Sequence, residues 1–201
     1  MQITKLIGVA TVAALCVLLA AYPALPQSKM QDVKQRGELK HGAYLVSLGG
    51  CDDCHSPKTF TAAGPQVDTA RRLSGHPADE MIPSIPPGVI GPQNWGALTT
   101  NGLTAWAGPW GVSYAFNLTP DQQTGLGSWT LDTFIKVMRT GKDVSGQRDI
   151  LPPMPWFNYA GLTDQDFKAM WEYLASLKPV SNQVPQPRPP VTMEQSPDKM
   201  K

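Results

Sequence analysis

The chain has 201 residues, with 17 Lys and Arg against 16 Asp and Glu and a formal net charge of +1. Nothing in that balance argues for nucleic-acid binding. The balance also leaves no strong one-signed field to steer partners. The length suits a single domain behind a leader.

Residues 1–25 read as an export signal peptide. Lys5 precedes an uncharged run from Leu6 to Tyr22, followed by Pro23 and the polar Gln27-Ser28-Lys29. The run is close to bilayer-spanning length, so an uncleaved N-terminal anchor is the alternative. A lipoprotein signal is disfavoured, because the large Leu15 precedes Cys16. Loss of the leader removes Lys5 and no acid, which brings the formal charge to zero.

The first predicted helix covers about Val33 to Leu48. Leu45 and Leu48 share a face, Gly42 adds a small contact surface, Gly37 weakens the first half and Gly49-Gly50 ends it. Next comes Cys51-Asp52-Asp53-Cys54-His55, a C-x-x-C-H run. Two thiols three positions apart on one turn can each form a thioether to a haem vinyl group. The following histidine then lies under the ring as an iron ligand. A structural zinc site would want four ligands, and the βαβ context of a thioredoxin-like C-x-x-C is absent. One covalent haem c on Cys51 and Cys54 is therefore expected.

From Ser56 to Trp129 there are 9 Pro and 10 Gly in 74 residues, an unusually long irregular stretch for one domain. A large rigid cofactor accounts for it, because loops can bury apolar side chains against such a group. Trp95, Trp106 and Trp110 in this stretch read as pocket or core aromatics rather than a binding platform. A second helix is predicted over about Thr130 to Thr140, with Leu131, Phe134, Ile135 and Met138 on one stripe. A third spans about Thr163 to Leu177, with Phe167, Met170, Trp171 and Leu174 repeating the spacing. Thr163 can cap it, and Asp164 and Asp166 suit its positive first turn. The expected fold class is all-α: a small haem domain over residues 30–180 with long irregular Pro/Gly-rich loops. Residues 181–201 read as a Pro-rich disordered tail.

The iron needs a sixth ligand or an open position, and Met and His are the usual candidates. His41 reads as a surface helix residue and His76 as a loop polar contact. Met138 and Met170 lie on core stripes. Met81 sits in a loop and stays a candidate. Met154 is best placed, in Leu151-Pro152-Pro153-Met154-Pro155-Trp156, where three prolines stiffen an apolar loop. Arg71, Arg72 and Arg148 read either as partners of haem propionates or as solvated surface.

Gly42-Ala43-Tyr44-Leu45 followed by Gly50 to His55 resembles the start of a bacterial class I cytochrome c domain. The run Asn117-Leu118-Thr119-Pro120-Asp121 through Thr130 is similar to one in the cytochrome subunits of membrane-bound alcohol, aldehyde and gluconate dehydrogenases. Phe134 to Gly141, Leu151 to Trp156, Leu162 to Asp166 and Tyr173-Leu174 continue the likeness, which covers about residues 37 to 180. It implies a cytochrome c-like fold, with Met154 as the distal ligand opposite His55. Gly64-Pro65 also resembles the Gly-Pro of many cytochromes c, where the proline carbonyl accepts the imidazole N–H, so Pro65 is expected to orient His55. Those subunits typically carry three haem motifs, and this sequence has one.

On this reading the chain is no enzyme but a mono-haem c-type cytochrome. It is expected to be periplasmic, or anchored to the inner membrane through its N-terminal segment. It would pass single electrons between redox partners: a dehydrogenase, an oxidase or another cytochrome. The alternatives are a haem-bearing subunit of a dehydrogenase or oxidase complex and, with an open sixth position, a peroxidase or gas-sensing haem protein.

Overall fold

The computed structural model describes residues 26–190. The leader or anchor at 1–25, with Cys16, and residues 191–201 of the expected tail lie outside the described residues. The chain divides at Gly37 into two units. The described part of the first is the opening stretch of helix α1 (Gln27–Leu48), and the second, from Glu38, carries everything below.

After α1 come α2 (Cys51–His55), the strands β1 (Lys58–Thr61) and β2 (Gly64–Val67), and a short 3₁₀ turn at Thr69–Arg71. A long irregular segment leads to β3 (Leu98–Thr99), β4 (Ala105–Gly108) and β5 (Gly111–Tyr114). The helices α3 (Leu131–Thr140), α4 (Trp156–Tyr159) and α5 (Asp164–Ala175) follow. No helix among the described residues is long and apolar enough to cross a membrane.

The all-α expectation is therefore corrected. The domain is mixed, with an antiparallel pair β1-β2 and an antiparallel sheet in the order β3-β4-β5. The β1-β2 and β4-β5 hairpins close on two-residue loops, between Thr61 and Gly64 and between Gly108 and Gly111. Strands of two to four residues are too short to show period-two alternation, and the Gly and Pro that looked like loop signals mark their turns.

The helical expectations hold more closely. Val46 of α1, Phe134 and Met138 of α3, and Phe167, Met170 and Leu174 of α5 meet in one core with Leu73 and Leu126. Each buried side chain of this size contributes about 1.5–3 kcal/mol. At Gly42 an added Cβ would lie 2.0 Å from the Ala169 carbonyl oxygen, so α1 and α5 cross with their backbones nearly touching. Thr130 caps α3, accepting from Thr133 N–H, and Gly141 ends it at φ 64°. Thr163 and Asp166 form a capping box on α5.

The disordered-tail expectation is corrected over residues 181–190. The Asn182 side-chain amide donates to the carbonyls of Ser74 (2.7 Å) and His76 (2.8 Å). Further on, Arg188 bridges to Val112 of β5. These bonds order a segment that has no apolar periodicity to reveal it.

Candidate haem site

The motif turn α2 opens on Gly50, at φ 65°, whose carbonyl accepts from Asp53 N–H at 3.0 Å. Just before it, the Gly49 carbonyl accepts from the Tyr159 hydroxyl of α4 at 2.5 Å. At the other end, the Lys58 ammonium donates to the carbonyls of Asp52 (3.0 Å), Asp53 (3.1 Å) and Ser56 (2.5 Å). A cation at a helix C-terminus satisfies carbonyls that have no partner within the helix.

Between the two cysteines, Asp52 accepts from Ser56 Oγ at 2.7 Å and from Arg72 at 2.5 Å. Arg72 also donates to the Tyr173 hydroxyl of α5 at 2.6 Å. Ser56 Oγ in turn accepts from Leu73 N–H at 2.9 Å. The motif is thus clamped to the core from both sides. Arg72 spends its charge on Asp52, Arg71 pairs with Asp68 and Arg148 with Asp143, so all three meet protein carboxylates.

His55 is buried. Its Nδ1 lies 2.7 Å from the Phe116 carbonyl oxygen. A carbonyl can only accept, so Nδ1 carries the proton and Nε2 keeps its lone pair. Burial pulls the imidazole pKa below its ordinary value, against the pull of the Phe116 bond, and so favours the neutral ring that a ligand must be. Cys51 and Cys54 are both free thiols. Burial first, then the Asp52 carboxylate, push the Cys51 thiol up to about 11, and burial also raises that of Cys54. Two unpaired thiols on one turn, followed by a braced neutral imidazole with one nitrogen to spare, are the donor set that haem c requires.

The carbonyl that orients His55 belongs to Phe116, not to Pro65, which lies in β2 opposite Phe60. Gly75 makes this possible. Its N–H donates to the His55 carbonyl at 2.7 Å, while His76 N–H donates to Ala115 and Leu118 N–H to Leu73. At φ 81°, an added Cβ would sit 2.5 Å from the Ala115 carbonyl oxygen and 2.7 Å from the Phe116 carbonyl carbon. Only glycine lets the 115–117 backbone approach this closely. The one sequence signal near Phe116 was its successor Asn117. That buried side chain bonds to Thr119, Thr124 and the Val180 carbonyl and pins the segment.

Met154 is half-buried and packs against the same core as Cys51. Its loop is tied down three ways. Ile150 N–H donates to the Gly141 carbonyl at 2.7 Å. Ser113 Oγ of β5 donates to the Pro152 carbonyl at 2.5 Å. The Trp156 ring also covers Gly141.

The other ligand candidates point elsewhere. Met81 is 92% exposed, and Met138 and Met170 are core. His41 pairs with Asp166 at 2.8 Å. His76 uses both ring nitrogens, on Thr104 Oγ1 at 2.9 Å and the Glu80 carbonyl at 3.3 Å. Among the described residues, no three His, Cys, Asp or Glu converge as a metal cluster. Trp95, expected inside, is 66% exposed, whereas Trp106 and Trp110 are half-buried and donate to Leu103 and Ser113.

A C-x-x-C-H turn that follows α1 and is tied to α4 through Tyr159 and to α5 through Arg72 marks a haem-c type of domain. Comparison with known proteins narrows the class: the chain is homologous to cytochrome c subunits of dehydrogenases. It is 30% identical over 135 residues to the gluconate 2-dehydrogenase cytochrome c subunit of Pantoea cypripedii, covering 67% of this chain and 22% of that protein. It is 38% identical over 76 residues to the cytochrome c subunit of the quinone alcohol dehydrogenase of Gluconobacter oxydans, covering 37% and 16%. Against the fructose dehydrogenase cytochrome subunit of Gluconobacter japonicus the identity is 36% over 87 residues, covering 43% and 18%. The chain thus spans about a fifth of the length of these relatives. No family model matches it.

Proposed function

We propose that the chain is the haem-c-bearing electron-transfer subunit of a dehydrogenase complex on the periplasmic side of the membrane. The observation that carries this reading is the buried His55, with Nδ1 fixed on Phe116 and Nε2 unclaimed, directly after two free thiols. Kinship with dehydrogenase cytochrome subunits supports a complex over a free carrier.

Cys51 and Cys54 would hold the group covalently, and His55 and Met154 would ligate it. When bound, haem c supplies a one-electron Fe(III)/Fe(II) couple. Burial keeps the imidazole neutral, and the Phe116 carbonyl orients it and makes it electron-rich. The apolar core beside Met154 would limit water around the group. That favours the less charged reduced state, because burying charge is costly.

The test is covalent haem staining after denaturing electrophoresis, together with purification in the native host. Wild type should stain, Cys51→Ser/Cys54→Ser should not, and the stained band should co-purify with a catalytic subunit. A chain that carries no covalent haem overturns the proposal.

A further inference from the structure

The loop that presents Met154 has few backbone donors of its own. In Leu151-Pro152-Pro153-Met154-Pro155-Trp156, three of the six residues are prolines, which have no N–H. The loop is fastened at both ends: Ile150 N–H donates to the Gly141 carbonyl at 2.7 Å, and Asn158 N–H to the Pro155 carbonyl at 2.9 Å. Between these points the Pro152 carbonyl, two residues before Met154, accepts from Ser113 Oγ at 2.5 Å. A methionine side chain is flexible, so where its thioether sits depends on how firmly its backbone is held.

Ser113 is well placed to hold it. It is buried in β5, opposite Trp106 of β4. On the other side its neighbour Val112 exchanges bonds with Arg188 at 2.8 and 2.9 Å, so the strand is fixed along both edges. The Trp110 indole N–H donates to Ser113 Oγ at 3.2 Å. For this the indole lies against Gly108, where an added Cβ would be 2.3 Å from the ring. A hydroxyl has one proton to give. The Pro152 carbonyl takes it in preference to the Trp106 carbonyl, which is 3.5 Å away. A directed chain results, from indole N–H to hydroxyl to carbonyl, in which each bond polarises the next.

We propose that Ser113, oriented by Trp110, is the positioning residue for Met154: its hydroxyl holds the loop so that the thioether occupies the distal position and keeps other ligands out. This rests on the reading of Met154 as an iron ligand. Ser113→Ala would leave the Pro152 carbonyl without this donor, the costly way to lose a hydrogen bond. An added ligand competes with Met154 for the distal position. Its apparent affinity therefore rises in proportion to the fraction of molecules in which Met154 is away.

The experiment is carbon monoxide titration of the reduced, haem-loaded full chain, with the far-red band of the oxidised form and the denaturant midpoint measured alongside. Wild type, Ser113→Ala, Ser113→Thr and Trp110→Phe are compared. Ser113→Ala is expected to weaken the band and bind carbon monoxide about ten-fold more tightly. Trp110→Phe keeps a ring but loses the N–H, and should shift the affinity the same way by about two- to three-fold. Ser113→Thr keeps the hydroxyl and should behave as wild type. Wild-type band and affinity in Ser113→Ala, or a change confined to its denaturant midpoint, overturns the proposal. So does a Ser113→Thr that matches Ser113→Ala. If Ser113→Ala does not fold, an unchanged affinity in Trp110→Phe overturns it. A wild type that lacks the band and binds carbon monoxide readily overturns the Met154 reading itself, before any variant is compared.

Discussion

The helical half of the domain and its uncharged insert solve different problems with different chemistry. Helices α1, α3 and α5 supply most of the core and are joined by ion pairs, and α1 leads into the C-x-x-C-H turn. The 81–120 insert carries no charge, adds the three-stranded sheet and steadies the site from outside. Its hold is by backbone and hydroxyl: the Phe116 carbonyl on His55 and Ser113 on Pro152 beside Met154. Both candidate iron ligands, His55 and Met154, are thus placed outside the insert and braced by it. Catalytic side chains would be visible in a sequence, but bracing by main-chain atoms is not.

If that division of labour is right, stability should fall mainly with changes on the helical side. Phe167→Ala removes a fully buried ring from the core and should cost about 3–5 kcal/mol in denaturant unfolding. Gly75→Ala lies at the joint between the halves. Its left-handed backbone and the clash with Ala115 should cost about 3 kcal/mol and displace the Phe116 carbonyl from His55. Wild-type stability in that variant would mean that the joint is loose. Thr163→Ala removes the α5 capping box and should cost about 1 kcal/mol. Trp95→Ser, on the insert's open face, should change stability by no more than about 0.5 kcal/mol. A larger loss would show that the insert's surface belongs to the fold.

What could be read in advance follows the same division. Leu131 to Met138 and Phe167 to Leu174 repeat at helical spacing, so α3 and α5 were legible nearly to their caps. The start of α1 was not, because Gly37 suggested weakness where the helix runs on from Gln27. The haem motif is local, and its three residues fall on one turn as expected. Phe116 was missed because its role is a carbonyl 61 residues from His55, brought near by the positive φ of Gly75. Trp95 was misplaced because an aromatic in a Gly/Pro-rich stretch carries no periodicity to say which way it faces.

The most direct measurement is the absorption spectrum of the purified protein, oxidised and reduced, with and without carbon monoxide, for wild type and Met154→Ala. Ligation by His55 and Met154 predicts three things: a far-red methionine–iron band in the oxidised wild type, no carbon monoxide binding by its reduced form, and loss of the band in the variant. Ready carbon monoxide binding by wild type, or a band that survives in Met154→Ala, would contradict it.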